Sequence, residues 1–258
     1  MIPPNEARIL MCHALRMPHA TLAAHPELPL DRGCLERFEE WVGRRALGEP
    51  IAYLVGEREF YGRRFRVTPD VLIPRSETEL LVDLARNHLA PCTAPRVLDL
   101  GTGSGVLAVT LALELRSASV SATDVSRAAL AVARANALAH GAAVRFFLCD
   151  WYSGLPRENF DLIVSNPPYV TRGDPHLCAG DPRFEPRQAL DGGADGLAAL
   201  RAIIDGARDD LSPGGWLLVE HGYDQAEQVR RLFGAAGLNE VESWRDLAGI
   251  ERVTGGRK

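Results

Sequence analysis

The chain has 258 residues, 46% hydrophobic and 24% charged, with a formal net charge of −5. It can hold one large domain, or a core domain with a smaller appendage. It has no apolar run of eighteen residues to cross a bilayer, and Met1–Leu10 lacks the basic and apolar regions of a secretory signal.

The acidic balance argues against a stable nucleic-acid partner, which needs a basic surface. Nearly all positive charge is arginine, because Lys258 is the only lysine, and compositional bias accounts for that. The five cysteines (Cys12, Cys34, Cys92, Cys149, Cys178) are scattered with no C-x-x-C pair, as expected of reduced thiols in a cytoplasm. The seven histidines have no metal-ligand spacing, so no metal is expected.

In chain order, Asn5–Met17 places Ile9, Leu10, His13, Ala14 and Met17 at helical spacing. A connection with Pro26 and Pro29 follows. Asp31–Leu47 predicts a second amphipathic helix carrying Leu35, Phe38, Trp41 and Val42 on one side, stopped by Gly48 and Pro50. Residues 57–68 alternate as a hairpin around Tyr61-Gly62-Arg63. Ser76 and Glu79 have capping-box spacing for a helix reaching Leu89, and 90–95 is a linker or tight loop. From Arg96 short apolar strands (96–100, 119–124, 144–149, 160–165, 215–221) alternate with helices near 104–115, 126–140, 195–211 and 223–236. Segments 239–246 and 250–255 complete a set of seven strands. This rhythm predicts an α/β fold with a mainly parallel sheet and helices on both faces. The expected division is a helical domain over 1–56, a hairpin connection over 57–75 and the α/β domain over 76–258.

The run Val97-Leu98-Asp99-Leu100-Gly101-Thr102-Gly103-Ser104-Gly105 is a strand entering a glycine loop and then a helix. Glycines permit a tight turn and close approach to a ligand. The dinucleotide fingerprint needs a glycine at 106, where this chain has Val106, so NAD is disfavoured. Asp124 ends the next strand, where a carboxylate can accept both ribose hydroxyls of an adenosine. At the third strand's end, Asp150 can accept an adenine amino group and Trp151 can offer its face or backbone N–H. With Asp99, three acids point at the sheet edge where such folds bind ligands.

Strand four ends in Ser165-Asn166-Pro167-Pro168-Tyr169. Pro167 holds Asn166 extended, and neither proline has an N–H to donate. The Asn166 side-chain oxygen and the Pro167 carbonyl can accept two hydrogen bonds from one planar –NH2 group. Tyr169 can stack on its flat face. Such a clamp turns the nitrogen lone pair towards an electrophilic methyl.

On these residues the chain resembles the release-factor glutamine methyltransferases. The resemblance runs from Asn5 to Arg257 through Gly48–Leu54, Arg58–Gly62, Ile73–Glu79, the Gly101–Gly105 loop, Asn166–Tyr169, Arg183-Phe184-Glu185-Pro186 and Glu220-His221-Gly222. Asn-Pro-Pro-Tyr alone is shared with adenine and other amino methyltransferases, whereas Leu72–Val82 and Gly48–Gly62 are more specific. The resemblance implies a Rossmann-like class I methyltransferase that methylates the glutamine of a Gly-Gly-Gln motif in bacterial class I peptide-chain release factors. S-adenosylmethionine is the implied methyl donor. The N-terminal helical domain is implied to help hold the protein substrate. Gly101, Thr102, Gly103, Ser104, Gly105, Asp124, Trp151 and Asn166 match its cofactor positions. Asn166, Pro167, Pro168 and Tyr169 match its substrate clamp. Ser76 stands where the family commonly has proline, with a serine cap expected instead, and the helix usually preceding the segment matched by Asn5 is expected to be absent or truncated. A cytoplasmic monomer is favoured.

Overall fold

The computed structural model describes residues 2–25, 28–156 and 158–258; Pro26 of the first connection lies outside them. The N-terminal unit holds α1 (Pro4–Leu15), α2 (His19–Ala24), α3 (Arg32–Ala46) and α4 (Ile51–Val55). Leu10 and Ala14 of α1 are buried while Ile9 is 43% exposed. Arg16 turns left-handed and ends α1, so the expected Met17 falls outside it. Asp31 caps α3 by accepting from the Cys34 N–H at 2.8 Å. α3 lies against α1 and buries Cys34; of the expected side Phe38, Trp41 and Val42 are half-buried, and only Leu35 departs from expectation by being exposed.

The hairpin forms as expected, from β1 (Glu57–Phe60) paired antiparallel with β2 (Arg63–Arg66). Its Phe60 and Phe65 reach into the α/β core. The expected capping box does not form. Ser76–Thr78 is a 3-10 turn before α5 (Glu79–Leu89), and neither element has a side-chain cap. Ser76 Oγ instead donates to Glu77, and Glu79 accepts from the Tyr61 N–H at 2.7 Å, tying the start of α5 to the hairpin turn.

The remaining elements are β3 (Arg96–Leu100), α6 (Val106–Glu114), β4 (Ser119–Asp124), α7 (Arg127–His140), β5 (Val144–Leu148), β6 (Phe160–Ser165), α8 (Ala198–Asp210), β7 (Leu211–Glu220), α9 (Ala226–Ala235), β8 (Asn239–Arg245) and β9 (Glu251–Arg257). The seven strands order β5-β4-β3-β6-β7-β9-β8, and only β9 runs against the others. Side chains alternate between the faces along each strand. Val97, Leu162, Val164 and Leu218 pack with α5 and α6, whereas Leu98, Ile163, Leu217 and Val219 pack with α8 and α9. From β3 the chain winds outward through β4 and β5, then returns to place β6 on the other side of β3. That reversal opens a crevice at the carboxyl ends of β3 and β6. Among the described residues, no helix is long and apolar enough to cross a membrane.

Candidate active site

A cavity of about 490 Å³ lies at that crevice. This is within the roughly 300–1,000 Å³ usual for small-molecule sites. Ser165 Oγ donates to the Leu100 carbonyl at 2.7 Å, and the Thr102 N–H donates to the Thr123 carbonyl at 2.8 Å, so the ends of β3, β4 and β6 are joined.

The glycine loop forms one wall. Gly103 has φ +55, and a Cβ there would meet nothing within 4 Å, so its missing side chain leaves open space beside the cavity it lines. Gly105 serves packing instead. A Cβ would sit 3.0 Å from that of Ala133 on α7, so only glycine lets the loop seat on that helix. Gly101, Thr102 and Ser104 also line the cavity.

The acids differ in state. Asp124 accepts from the Gly103 and Ser126 N–H groups at 2.9 and 2.8 Å, while burial pushes its carboxyl above the usual carboxylate range. Asp99 is buried and accepts from Thr102 Oγ1 at 2.7 Å and the Ala108 N–H at 3.2 Å. Burial pushes it up to about 7, and its Oδ1 has no partner among the described residues. Asp150 is exposed at the rim. Trp151, in a left-handed conformation, lays its ring against Gly101 and lines the cavity.

Asn166 and Pro168 line the same cavity from the end of β6, while Pro167 is buried in the loop. Asn166 Nδ2 donates to Thr78 Oγ1 at 2.9 Å, and Thr78 Oγ1 donates to Glu220 Oε2 at 2.7 Å. The Tyr169 ring packs against the apolar core under α8 and α9, and its hydroxyl donates to Glu220 Oε1 at 3.1 Å. Tyr169 is half-buried, anchored by its hydroxyl and by its packing on that core. It borders a smaller cavity of about 170 Å³ with Arg75, Glu77, Glu220 and Arg252. Burial pushes the Glu220 carboxyl up to about 7 and the Tyr169 hydroxyl well above its usual range.

Two sequence segments far apart meet beside the clamp. Arg75 pairs with the buried Glu185 at 2.7 Å, and burial raises the Glu185 carboxyl despite that partner. Arg183 donates to the Leu47 carbonyl, and its guanidinium fills the space that a Cβ at Gly48 would need. Arg45 of α3 bridges Glu6 at 2.7 Å and Asp181 at 3.3 Å. Thr78 and the link from Glu220 to Asn166 were missed by sequence reasoning, although Ile73–Glu79 and Glu220–Gly222 stand out in the sequence.

Residues 2–56 match the family model for the PrmC N-terminal domain, and residues 76–181 match that for the Methyltransferase small domain. A protein of Bordetella pertussis called "Release factor glutamine methyltransferase" is 54% identical, over 99% of this chain and 95% of its own. One of the same name from Burkholderia pseudomallei is 52% identical, over 98% of this chain and 91% of its own. Among solved structures, a methyltransferase from Pyrococcus furiosus superposes with a TM-score of 0.57 at 18% identity, covering 85% of this chain and 98% of that one. A Thermus thermophilus 16S rRNA methyltransferase in complex with AdoMet and guanosine gives 0.57 at 20% identity, over 78% of this chain and 49% of that one. These place the fold among the class I methyltransferases, and the full-length similarity to the Bordetella and Burkholderia proteins shows that the chain belongs to the release factor glutamine methyltransferase family.

Proposed function

We propose that this chain transfers the methyl group of S-adenosylmethionine to the side-chain amide nitrogen of the glutamine in the Gly-Gly-Gln motif of bacterial class I peptide-chain release factors. The observation that carries the reading is Asn166, held with its amide nitrogen turned to Thr78 and its oxygen without a donor among the described residues, lining the same cavity as the glycine loop. An acceptor at that point, with the Pro167 carbonyl beside it in sequence, suits a planar –NH2 group.

The residues fit S-adenosylmethionine. Asp124 suits the ribose hydroxyls, Asp150 the adenine amino group, and Trp151 the adenine face or edge. The glycine loop, from Gly101 to Gly105, leaves room along the chain of the cofactor, and Asn166 borders both ligands. The unpartnered Asp99 Oδ1 offers an acceptor to an ammonium donor. When bound, the cofactor supplies an electrophilic methyl group on a positively charged sulfur. This chain's own part is positional. Asn166 and Pro167 accept the two N–H groups of the glutamine and fix the direction of its lone pair, while Pro168 and the anchored Tyr169 hold the loop. Such alignment can lower a barrier by roughly 7–11 kcal/mol. No general base is invoked, because an N-methylated amide cation loses its proton readily.

Residues 1–56 form the substrate-holding domain in this proposal, 57–75 connect it, and 76–258 perform transfer. Arg45 and Arg183 tie the helical unit to the 181–183 segment, close in sequence to the Asn166–Tyr169 loop, which suits helices that hold a substrate for that loop. The proposed setting is cytoplasmic, with a monomer acting on the release factor and no stable nucleic-acid partner, as the net charge of −5 supports. The test is incubation with methyl-labelled cofactor and either a release factor or DNA. Label on the Gly-Gly-Gln glutamine is expected. Label on DNA alone would replace this reading with a base methyltransferase.

A further inference from the structure

Glu220 lies outside the larger cavity, 1% exposed, and reaches the clamp only through other side chains. Both of its oxygens are engaged, Oε2 by Thr78 Oγ1 and Oε1 by the Tyr169 hydroxyl. We propose that Glu220 is a positioning residue that sets the direction of the hydrogen-bond chain from Glu220 through Thr78 to Asn166, and thereby presents the Asn166 oxygen, not its nitrogen, to the substrate amide. This rests on the clamp role given to Asn166 above.

The argument is one of proton counting. An ionised carboxylate only accepts, and a threonine hydroxyl has one proton. With Glu220 ionised, the Thr78 proton must point to Glu220, and Thr78 Oγ1 can then only accept from Asn166. The amide is thus forced to offer its Nδ2 to Thr78, as observed at 2.9 Å, and its Oδ1 is the end left for a ligand. Were Glu220 neutral or replaced by an amide, it could donate to Thr78. Thr78 could then donate to Asn166 Oδ1, and the amide would turn its –NH2 towards the –NH2 of the glutamine. Two donors would face each other and the clamp would fail.

The surroundings make this choice sensitive to pH. Burial disfavours the Glu220 charge and Glu77 opposes it, while the bonds from Thr78 and Tyr169 and the charge of Arg252 favour it; together they hold the carboxyl at about 7. Arg75 borders the same small cavity. Neighbouring His221 faces the other way, with Nδ1 on the Gly222 carbonyl and Nε2 on Thr254 Oγ1.

The test uses the full chain with Glu220→Gln, Thr78→Val and Thr78→Ser, and Asn166→Ala for signal assignment. Single-turnover methylation of the release factor is expected to fall about 10²-fold in Glu220→Gln and Thr78→Val, the order of loss when a reacting group is misplaced. Cofactor affinity is expected to stay within a few-fold. Thr78→Ser keeps the hydroxyl and is expected to restore the rate. The wild-type rate is expected to rise with pH through a limb near 7, and Glu220→Gln to lose that limb. A readout independent of activity is the Asn166 side-chain amide signal in nuclear magnetic resonance, assigned by its disappearance in Asn166→Ala. It is expected to shift across the same pH limb in the wild type and not in Glu220→Gln. If Glu220→Gln does not fold, the Thr78 pair and the wild-type amide signal decide. Wild-type rates in Thr78→Val, or an Asn166 signal indifferent to pH, would overturn the proposal. A wild-type chain that shows the amide transition but never methylates the release factor would instead overturn the proposed function.

Discussion

Asn136 on α7 offers the most direct measure of how the hairpin supports the glycine loop. Its side chain is 2% exposed and makes three hydrogen bonds. Oδ1 accepts from the Arg66 N–H at 2.8 Å, and Nδ2 donates to the Arg66 carbonyl at 3.0 Å and to the Ser104 carbonyl at 2.8 Å. One amide thus staples β2 to the loop that lines the cavity. Asn136→Ala removes all three bonds and takes this partner from the buried Ser104 carbonyl and from the half-buried backbone groups of Arg66. At about 1 kcal/mol for each bond, the loss is about 3 kcal/mol. For a chain of this size that lowers Tm by roughly 6–12 °C. Urea unfolding followed by circular dichroism measures the first quantity, and a thermal scan the second. Asn136→Asp keeps the Oδ1 acceptor but sets a carboxylate oxygen against two carbonyls. Its folded pKa would be raised, so its stability is expected to improve below the ordinary carboxylate range and to decline as pH rises through the folded value. Cofactor affinity is expected to weaken in both variants, because binding must then order the loop. A loss below about 1 kcal/mol in Asn136→Ala would refute the staple, since that is no more than one bond's contribution.

Two glycines in the same loop should separate ligand space from packing. Gly103→Val is expected to weaken cofactor binding at least tenfold by calorimetry, with a Tm loss that comes from forcing a β-branched residue to φ +55 and not from a clash, because its side chain enters open space; unchanged affinity would sink the cofactor assignment. Gly105→Val is expected to lower Tm more than Gly103→Val, because Ala133 already occupies the position. Asn166→Ala should reduce single-turnover methylation by about 10²–10³, the scale for one preorganised polar contact at a reacting centre, with cofactor affinity little changed; wild-type rates would rule out the clamp. Arg45→Glu breaks the pairs with Glu6 and Asp181, and methylation of intact release factor is expected to fall further than that of a short Gly-Gly-Gln peptide; equal losses would argue against a docking role for the helices.

The α/β half was legible in the sequence because its signals are local. Strands 96–100, 119–124 and 160–165 are short apolar runs, bounded where expected. β7 begins four residues earlier than the apolar run suggests. Leu211-Ser212-Pro213-Gly214-Gly215 has the composition of a turn, but it joins β6 through an irregular register, where proline and glycine are tolerated. The short α4 was hidden for another reason: five residues after Pro50 carry too little periodicity to distinguish helix from loop, and tertiary packing of Ala52 and Tyr53 decides it. Likewise Ser76 and Glu79 have the spacing of a capping box, yet the Tyr61 N–H competes for Glu79 and wins.

The candidate site divides along the same line. Gly103, Asp124 and Asn166 could be singled out because each ends a strand or follows one, and strand ends converge by topology. What Asn166 presents to a ligand could not, because it depends on Thr78 and Glu220, 88 and 54 residues away in the chain. The amide's orientation follows from which neighbour must accept: Thr78, in the turn before α5, accepts from Asn166 because its own proton goes to Glu220 at the end of β7. The same logic applies to the segment after the clamp. The bridge between Val170 and Asp191 closes its base, and within it Asp181 meets Arg45, Arg183 meets the Leu47 carbonyl and Glu185 meets Arg75. The base of this stretch is therefore closed by its own pairing, while its middle is held by the helical unit and the lead into α5, and no single segment's sequence encodes that arrangement alone.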